Sequence, residues 1–516
     1  MMSRNMSRKD EKGVALILVM ILLLVLSVMA VSLLFVGQSE TWASMNYRMM
    51  TQARYGAEAG INQAANYIQN TYAQPTTAQM SSFITTTSPV TYGNSPVLLS
   101  ANSAFNANYP VSSVSSDFAS KTTGSITAGN TTITYAPTAQ LLAMQSFTSY
   151  PASTPAVVQK WLITSDGTIS SVRNAQVRVT AVLEQQKSVT FAYAAFATAT
   201  GCGALSFGGG GTTDSYNSSM LATSGGIATP PSTFDAYGGN VGTNGNLSES
   251  GSKTTINGSL STPRQGTGSC STSSVTALST NGNATVTKGL VDLPQNVVYP
   301  TPPAPNPAPP TTAMTVANNS PDCTGFPAQC SALPASKPTA LYITAGSTSA
   351  TATELGAVTI KGDVHFVPPA GTTAGSPVYI DAYSLSTNGN PNIYIDPIPG
   401  TNPPQYAQIV LNVAAAGTID LTGSTLSNPT LVPADFQILY AGTNQVTLNG
   451  GSANASLLYA PNANFKLNGG GNLYGAVIAN QITDLGGGAI HYDRHLQTQF
   501  YTPGNYMLSA FNWQKY

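Results

Sequence analysis

His491-Tyr492-Asp493-Arg494-His495 is the segment whose residue types come nearest to chemistry. Two imidazoles at i and i+4 converge on a metal only where the chain is helical. Here they follow Gly486-Gly487-Gly488-Ala489-Ile490, which reads as a turn and then a strand, so the rings need not converge. No Glu stands in the cluster to act as a general base, and a structural role in a last coil is expected. Asp363-Val364-His365 is a weaker second cluster. Asp381, Asp396 and Asp420 are isolated in sequence. Only a coiled chain would gather them, either around calcium, which wants several oxygens, or as a carbohydrate-active group on one sheet. Cys202, Cys270, Cys323 and Cys330 all follow the N-terminal apolar run. Zinc would want closer pairs, whereas an oxidising compartment would favour two disulfides. Cys323 with Cys330 would close one short loop and leave Cys202 with Cys270; all three connectivities are open. The sequence therefore predicts no catalytic residue, metal or cofactor.

Composition agrees. Charged residues are 8% of the 516, with 19 Lys+Arg against 20 Asp+Glu and a net charge of −1. Nucleic acid is excluded as a partner through a basic face, since phosphate contacts need clustered cations. Beyond residue 60 only 16 acidic and 13 basic residues remain, little for a lyase or hydrolase. High Gly (47) and Pro (34) with abundant Ser, Thr and Asn point to an extracytoplasmic, mostly β chain. Tyrosine is the commonest aromatic (24). Tyr440, Tyr459, Tyr474 and Tyr492 read as core or edge residues of a repeating fold, with an adhesive exposed face as the alternative.

The elements that position these residues begin with an apolar run, Val14 to Val36, broken only by Ser27 and Ser32. At about 1.5 Å per residue it spans a bilayer as a helix. Arg4, Arg8, Lys9 and Lys12 against Asp10 and Glu11 place the N-terminus in the cytoplasm and the rest outside. Span and charge alone would suit a plain signal anchor. Farther on, Ala53, Gly56, Ala57, Gly60, Ile61, Ala64, Ala65 and Ile68 recur at steps of three and four. That makes one stripe of mainly small residues, able to admit another helix backbone or to lie on the protein's own domain.

Glu11-Lys12-Gly13-Val14-Ala15-Leu16-Ile17 resembles the leader junction of type IV prepilins, and Ala57-Glu58-Ala59-Gly60 resembles the close of the PilX-type minor-pilin N-terminal domain. The resemblance covers about residues 12–68. It implies cleavage by a prepilin peptidase between Gly13 and Val14, a helix that anchors the subunit in the inner membrane, and later packing against other pilins through Ala57, Glu58, Ala59 and Gly60. Arg48, Arg54 and Glu58 would be placed for inter-subunit ion pairs. Major pilins carry Glu at mature position five. Here that position is Leu18, and the first acidic residue after the junction is Glu40. The departure suits a minor subunit, or a tip pseudopilin of a secretion system.

The remainder divides by composition. Residues 1–13 read as leader, 14–72 as transmembrane and amphipathic pilin-like helix, and 73–190 as linker and β-sheet region. Within that region Lys160–Ser165, a turn at Asp166-Gly167, and Ser171–Leu183 predict a hairpin. Residues 195–295 and 313–516 read as two β-helix-like parts, joined by a Pro-rich connector at 296–312 in which Pro300, Pro302, Pro303, Pro305, Pro307, Pro309 and Pro310 favour an extended polyproline II path. That connector either divides two domains or crosses the surface of one. Val446-Thr447-Leu448-Asn449-Gly450-Gly451 returns as Phe465-Lys466-Leu467-Asn468-Gly469-Gly470, and Ser456–Ala460 as Gly475–Ala479, both shifted by 19. Such a period fits one coil of a parallel β-helix. Leu458-Tyr459-Ala460-Pro461 and Tyr474-Gly475-Ala476-Val477 resemble β-helical C-terminal regions of proteins that begin with a PilX-like segment, which implies architecture but no activity. The expected fold class is α+β, mainly β: a long pilin-like helix, a small antiparallel sheet and a large parallel β-helix-like domain, with a β-sandwich as the alternative. The expected function is a non-enzymatic minor pilin at low copy or at the tip of a filament, in the inner membrane and then at the cell surface, with surface glycans among its partners. The alternatives are a tip pseudopilin and a membrane-anchored carbohydrate-active enzyme.

Overall fold

Helix α1 runs unbroken from Glu11 to Asn70. No proline interrupts it, and the first in the chain, Pro75, lies just beyond its end. The structure, a computed structural model, describes residues 11–170, 174–251, 253–318, 323–332, 340–449, 454–484 and 486–515. The leader residues ahead of Glu11 and the Gly450-Gly451 corner lie outside these. The chain divides into two units, one of Met1–Phe147, Pro155–Lys187 and Pro503–Tyr516, the other of Thr148–Thr154 and Ser188–Thr502.

In the first unit a sheet runs in the order Tyr501–Lys515, Ala175–Val189, Thr154–Ile169, Thr131–Ser149, Leu98–Ser100. Ala175, Val177, Val179, Ala181 and Leu183 are buried, while the residues between them are partly exposed. That is the alternation of a sheet with one covered face. The cover is the C-terminal half of α1, joined by a second helix, Ser112–Thr122, whose Phe118 ring meets Tyr67 edge-on at 5.3 Å. The predicted turn at Asp166-Gly167 is corrected. Both residues lie inside the strand Thr154–Ile169, where Asp166 opposes Arg178 and Gly167 opposes Val177. Asp166 is there to accept two bonds from the Arg178 guanidinium, at 2.7 and 2.8 Å. Gly167 is there because the backbone of α1 comes too close for any side chain.

The second unit is a parallel β-helix, and parallel registers remove the sandwich alternative. One column of inward residues passes through Ile380, Leu411, Ile438, Leu458, Val477, Ala195, Val241 and Leu260. All of these are fully buried. The 19-residue repeat is the coil itself: Val446 pairs with Phe465 and Ser456 with Gly475. Each coil leaves its strand edges unpaired until the next one stacks.

The order of coils in space differs from their order in sequence. The strand Asn472–Asp484 pairs with Ala195–Ala197 and with Leu205–Phe207, so the coils that begin near Ala195 stack on the far end of those that end near Asp493. The two predicted β-helix-like parts are therefore one continuous stack. Residues 293–312 must return along it, from the strand Leu290–Asp292 to the strand Ala313–Val316. Ten strand spacings of about 4.8 Å make roughly 48 Å. Twenty residues of polyproline II reach about 62 Å. The connector crosses the surface of one domain: Val297 N–H donates to Asn244 Oδ1 at 2.8 Å, and Tyr459 donates to the Pro300 carbonyl at 2.7 Å. The last strand, Tyr501–Lys515, leaves the coil and joins the sheet of the first unit, so the β-helix does not extend to the C-terminus.

Candidate functional site

Helix α1 has two halves with opposite surroundings. Every large apolar side chain from Val14 to Val36 is exposed, between 45% at Val25 and 72% at Leu33. This is the one helix among the described residues long and apolar enough to cross a membrane, and none of its most apolar stretch is buried within the chain. An apolar surface this large is not left in water. The polar groups nearby are satisfied within the helix: Ser27 Oγ donates to the Leu24 carbonyl at 2.8 Å and Thr41 Oγ1 to the Gly37 carbonyl at 2.8 Å. Such bonding suits hydrocarbon, where a lone hydroxyl is costly. Leu18, 61% exposed, presents a methyl surface where a major pilin presents a carboxylate. The Gly13–Val14 bond sits in the first turn of α1.

The second half is committed to the chain's own sheet. Ala53, Ala57, Ile61 and Ala64 are wholly buried. The approach is close enough that a Cβ would collide on both sides. A Cβ on Gly56 would lie 2.2 Å from Ile133 Cγ2, and one on Gly60 2.2 Å from Ser165 Oγ. A Cβ on Gly167 would lie 2.0 Å from the Ala53 carbonyl oxygen and 2.6 Å from the Ala57 nitrogen. The small-residue stripe, and with it Ala57 and Gly60 of the Ala57-Glu58-Ala59-Gly60 motif, thus seats α1 on its own sheet. Of the predicted inter-subunit charges, Arg54 and Glu58 meet each other one turn apart at 2.8 Å. The Arg54 guanidinium also lies 5.7 Å above the exposed Trp513 ring, a contact that no local sequence signal links to α1. Arg48 lies on the exposed flank. At the lower end, Tyr72 packs edge-on against Trp161 and Tyr109, both at 5.3 Å. Burial pushes its phenol far above the usual range.

The other sequence-predicted residues serve structure. Cys202 is bonded to Cys270 and Cys323 to Cys330. His491 is buried in a strand, its Nδ1 at 2.5 Å from Asp214 Oδ1 and its ring stacked on Phe234 at 3.6 Å. His495 lies in the following short helix, where the buried Asp493 carboxylate accepts from His495 N–H at 3.0 Å and from Ser218 N–H and Oγ–H at 2.9 and 2.6 Å. The His495 ring meets Gln499 instead, Nδ1 to Nε2 at 3.3 Å, so the two imidazoles have separate partners. His365 stacks between Tyr342 and Tyr394 at 4.3 and 4.4 Å, with Asp396 at 2.8 Å from its Nδ1. Asp381, Asp396 and Asp420 stay apart: Asp381 opposes Glu354 and Asn412, Asp396 belongs to His365, and Asp420 accepts from Thr422 Oγ1 at 2.6 Å. No cluster of three His, Cys, Asp or Glu side chains able to hold a metal occurs among the described residues. Tyr440, Tyr459 and Tyr492 are fully buried. Each donates its hydroxyl to a main-chain carbonyl, those of Gly417, Pro300 and Phe191, at 2.7 Å.

The comparisons with known proteins fall on the same two regions. The PilX N-terminal family matches residues 12–62, and a domain of unknown function matches residues 387–499. No curated protein matches the chain. Among solved structures, the competence-associated pilin ComZ from Thermus thermophilus is 14% identical, over 90% of this chain and 98% of that one, at a TM-score of 0.24. At that score the likeness is too loose to add to the family match. An exposed apolar half-helix and a small-residue half seated on a sheet coincide with the match over residues 12–62, so the N-terminal segment is similar to the PilX N-terminal family, while residues 387–499 of the β-helix are similar to a domain of unknown function.

Proposed function

We infer that this chain enters the inner membrane through Val14–Val36 with its N-terminus in the cytoplasm, is cut by a prepilin peptidase after Gly13, and joins a type IV pilus or related filament as a low-copy or tip subunit. The observation that carries this reading is the division of α1. Its second half is already occupied by the protein's own sheet, so only the exposed apolar half is left to serve first the bilayer and then neighbouring pilin helices. Leu18 makes residence in the bilayer easier, because a carboxylate there is costly unless paired. It also removes one pairing contact that a repeating shaft would use. The β-helical unit is bulkier than the unit that carries α1, and bulk of that kind hinders repeated lateral packing, which favours a tip or low-copy position. The work done is assembly and presentation rather than catalysis. N-terminal mass spectrometry of membrane fractions from cells with and without prepilin peptidase tests it. The expected mature chain begins at Val14 only when the peptidase is present, and G13V leaves it uncut. A chain that keeps Met1–Gly13 in peptidase-competent cells overturns the reading.

A further inference from the structure

A cleft of about 630 Å³ opens on the outer face of the β-helix. Its floor is a pair of residue rows set by the parallel register, Tyr379 beside Val410 and Asp381 beside Asn412. Its walls come from three distant segments: the loop carrying Ser153, the Pro-rich connector at Pro303, and the short helix Ser349–Thr351. The volume lies within the range of small-molecule sites, about 300–1,000 Å³. Two polar groups on the floor lack partners. Asp381 is 3% exposed and neither accepts a hydrogen bond nor forms an ion pair among the described residues. Asn412 Oδ1 is buried with no hydrogen-bond partner. Buried polar atoms are ordinarily satisfied, so two unmet acceptors aimed into one cleft mark a place built for donors.

The lining decides which donors. No Lys or Arg borders the cleft, and Glu354 sits next to Asp381 across the strand pair, so an anion is disfavoured. A calcium ion takes about 6–8 oxygens at short range, and two floor acceptors in so wide a cleft fall short of that. A ligand that brings several hydroxyl donors and an apolar ring face matches Asp381, Asn412, the Tyr379 ring and the serine and threonine hydroxyls around them. Burial, with the neighbouring Glu354 charge added, pushes the Asp381 carboxyl up to about 7; near neutrality it can thus donate as well as accept.

We propose that this cleft, with Asp381 and Asn412 as its fixed hydrogen-bonding groups and Tyr379 as its ring platform, binds a neutral saccharide. This goes beyond the assembly reading and stands or falls without it, since peptidase processing is read separately. The test uses the full chain in a detergent without a sugar headgroup. It is exposed to immobilised mono- to tetrasaccharides of glucose, galactose, mannose and N-acetylhexosamines, and the best-retained one is then titrated calorimetrically. D381A and N412A are each expected to weaken binding by about tenfold or more, as loss of a buried hydrogen-bond partner does. S349W, on the exposed lip, blocks the cleft without touching a buried group and decides the matter if either floor variant fails to fold. D420N, outside the cleft, leaves binding unchanged. Retention of no neutral saccharide overturns the proposal, as does binding indifferent to S349W. So does calcium uptake from CaCl2 that D381A abolishes while no sugar binds.

Discussion

Gly167 is the position at which the packing of α1 is tested most severely. Replacing it by alanine sets a methyl group 2.0 Å from the Ala53 carbonyl oxygen and 2.6 Å from the Ala57 nitrogen. Both are main-chain atoms of a helix and cannot rotate away, so helix and sheet must part by roughly 1 Å or more for ordinary van der Waals contact to return. Overpacking of a core costs about 1–3 kcal/mol, and a collision of backbone with backbone belongs at the upper end. In a unit of this size about 1 kcal/mol moves the melting temperature by roughly 2–4 °C, so G167A should lower it by about 4–12 °C. The neighbouring glycines set an order. On G60A the nearest atom is Ser165 Oγ, the end of a side chain that can turn, and on G56A it is a methyl of the buried Ile133 rather than main chain; each should cost less than G167A, with G56A the costlier of the two. G37A meets nothing within 4 Å and should be neutral or slightly stabilising. The assay is calorimetric melting of the full chain in micelles, with hydrogen exchange of the amides around Ala53–Ile61 as the local readout. A G167A protein that melts with its parent and protects those amides equally would refute the close approach and return Gly167 to an ordinary strand position.

The buried carboxyls and the disulfides of the β-helix, and the Arg54–Glu58 pair on α1, each give a further outcome. Burial pushes Glu249 and Asp435 up to about 7 and Asp484 up to about 6. The unfolded carboxyls titrate near 4, so between about pH 4 and pH 7 the folded chain holds more protons than the unfolded one, and these groups make stability fall as pH rises through that window. Neither Glu249 oxygen has a partner; E249Q should therefore raise the melting temperature at about pH 8 and leave it unchanged at about pH 4, and equal shifts at both would count against a buried, partnerless carboxyl. The two disulfides close loops of different length, with sequence separations of 68 and 7. On chain-entropy grounds they contribute about 4 and about 2.5 kcal/mol, so C202S/C270S should lower the urea midpoint more than C323S/C330S, and the reverse order would contradict the loop argument. Finally, R54A removes an exposed ion pair worth at most about 1 kcal/mol; it should hardly change melting, and a large loss would show that its position above Trp513 does more than a surface contact.

How much of this could be read from the residues depended on how local the signal was. The bilayer-length run and the 19-residue coil are written in neighbouring residues, and both stand in the structure as helix α1 and the pairings of Val446 with Phe465 and Ser456 with Gly475. The Asp166-Gly167 pair misled, because its usual role in tight turns is also local. Its role here is imposed from a distance by Arg178 and by the backbone of Ala53. The small-residue stripe was legible as an invitation to close packing, but sequence does not say whether the guest is a helix or a sheet. The row of Glu354, Asp381 and Asn412 was illegible for the same reason. Glu354, Asp381 and Asn412 stand 27 and 31 residues apart and become neighbours only because successive coils here are that long.

The reversed order of coils carries the last consequence. Coils that begin near Ala195 rest on the strand Asn472–Asp484, so they have no finished platform until the C-terminal part of the β-helix is in place. Parallel pairing across such separations is slow, because loop closure is paid before the contacts repay it. The connector is what makes the arrangement geometrically allowed, since about 62 Å of polyproline II must cover about 48 Å of stack. Deleting all nine residues 302–310 would leave 11, which reach at most about 40 Å even fully extended, less than the path requires, whereas replacing those nine by alanine would keep the reach. The deletion should therefore separate the two sets of coils, exposing Ala195–Ala197 and Leu205–Phe207 to hydrogen exchange, while the alanine chain keeps them protected. Protection in both would mean that the coils do not need the connector's length, and the single-stack topology would have to be redrawn.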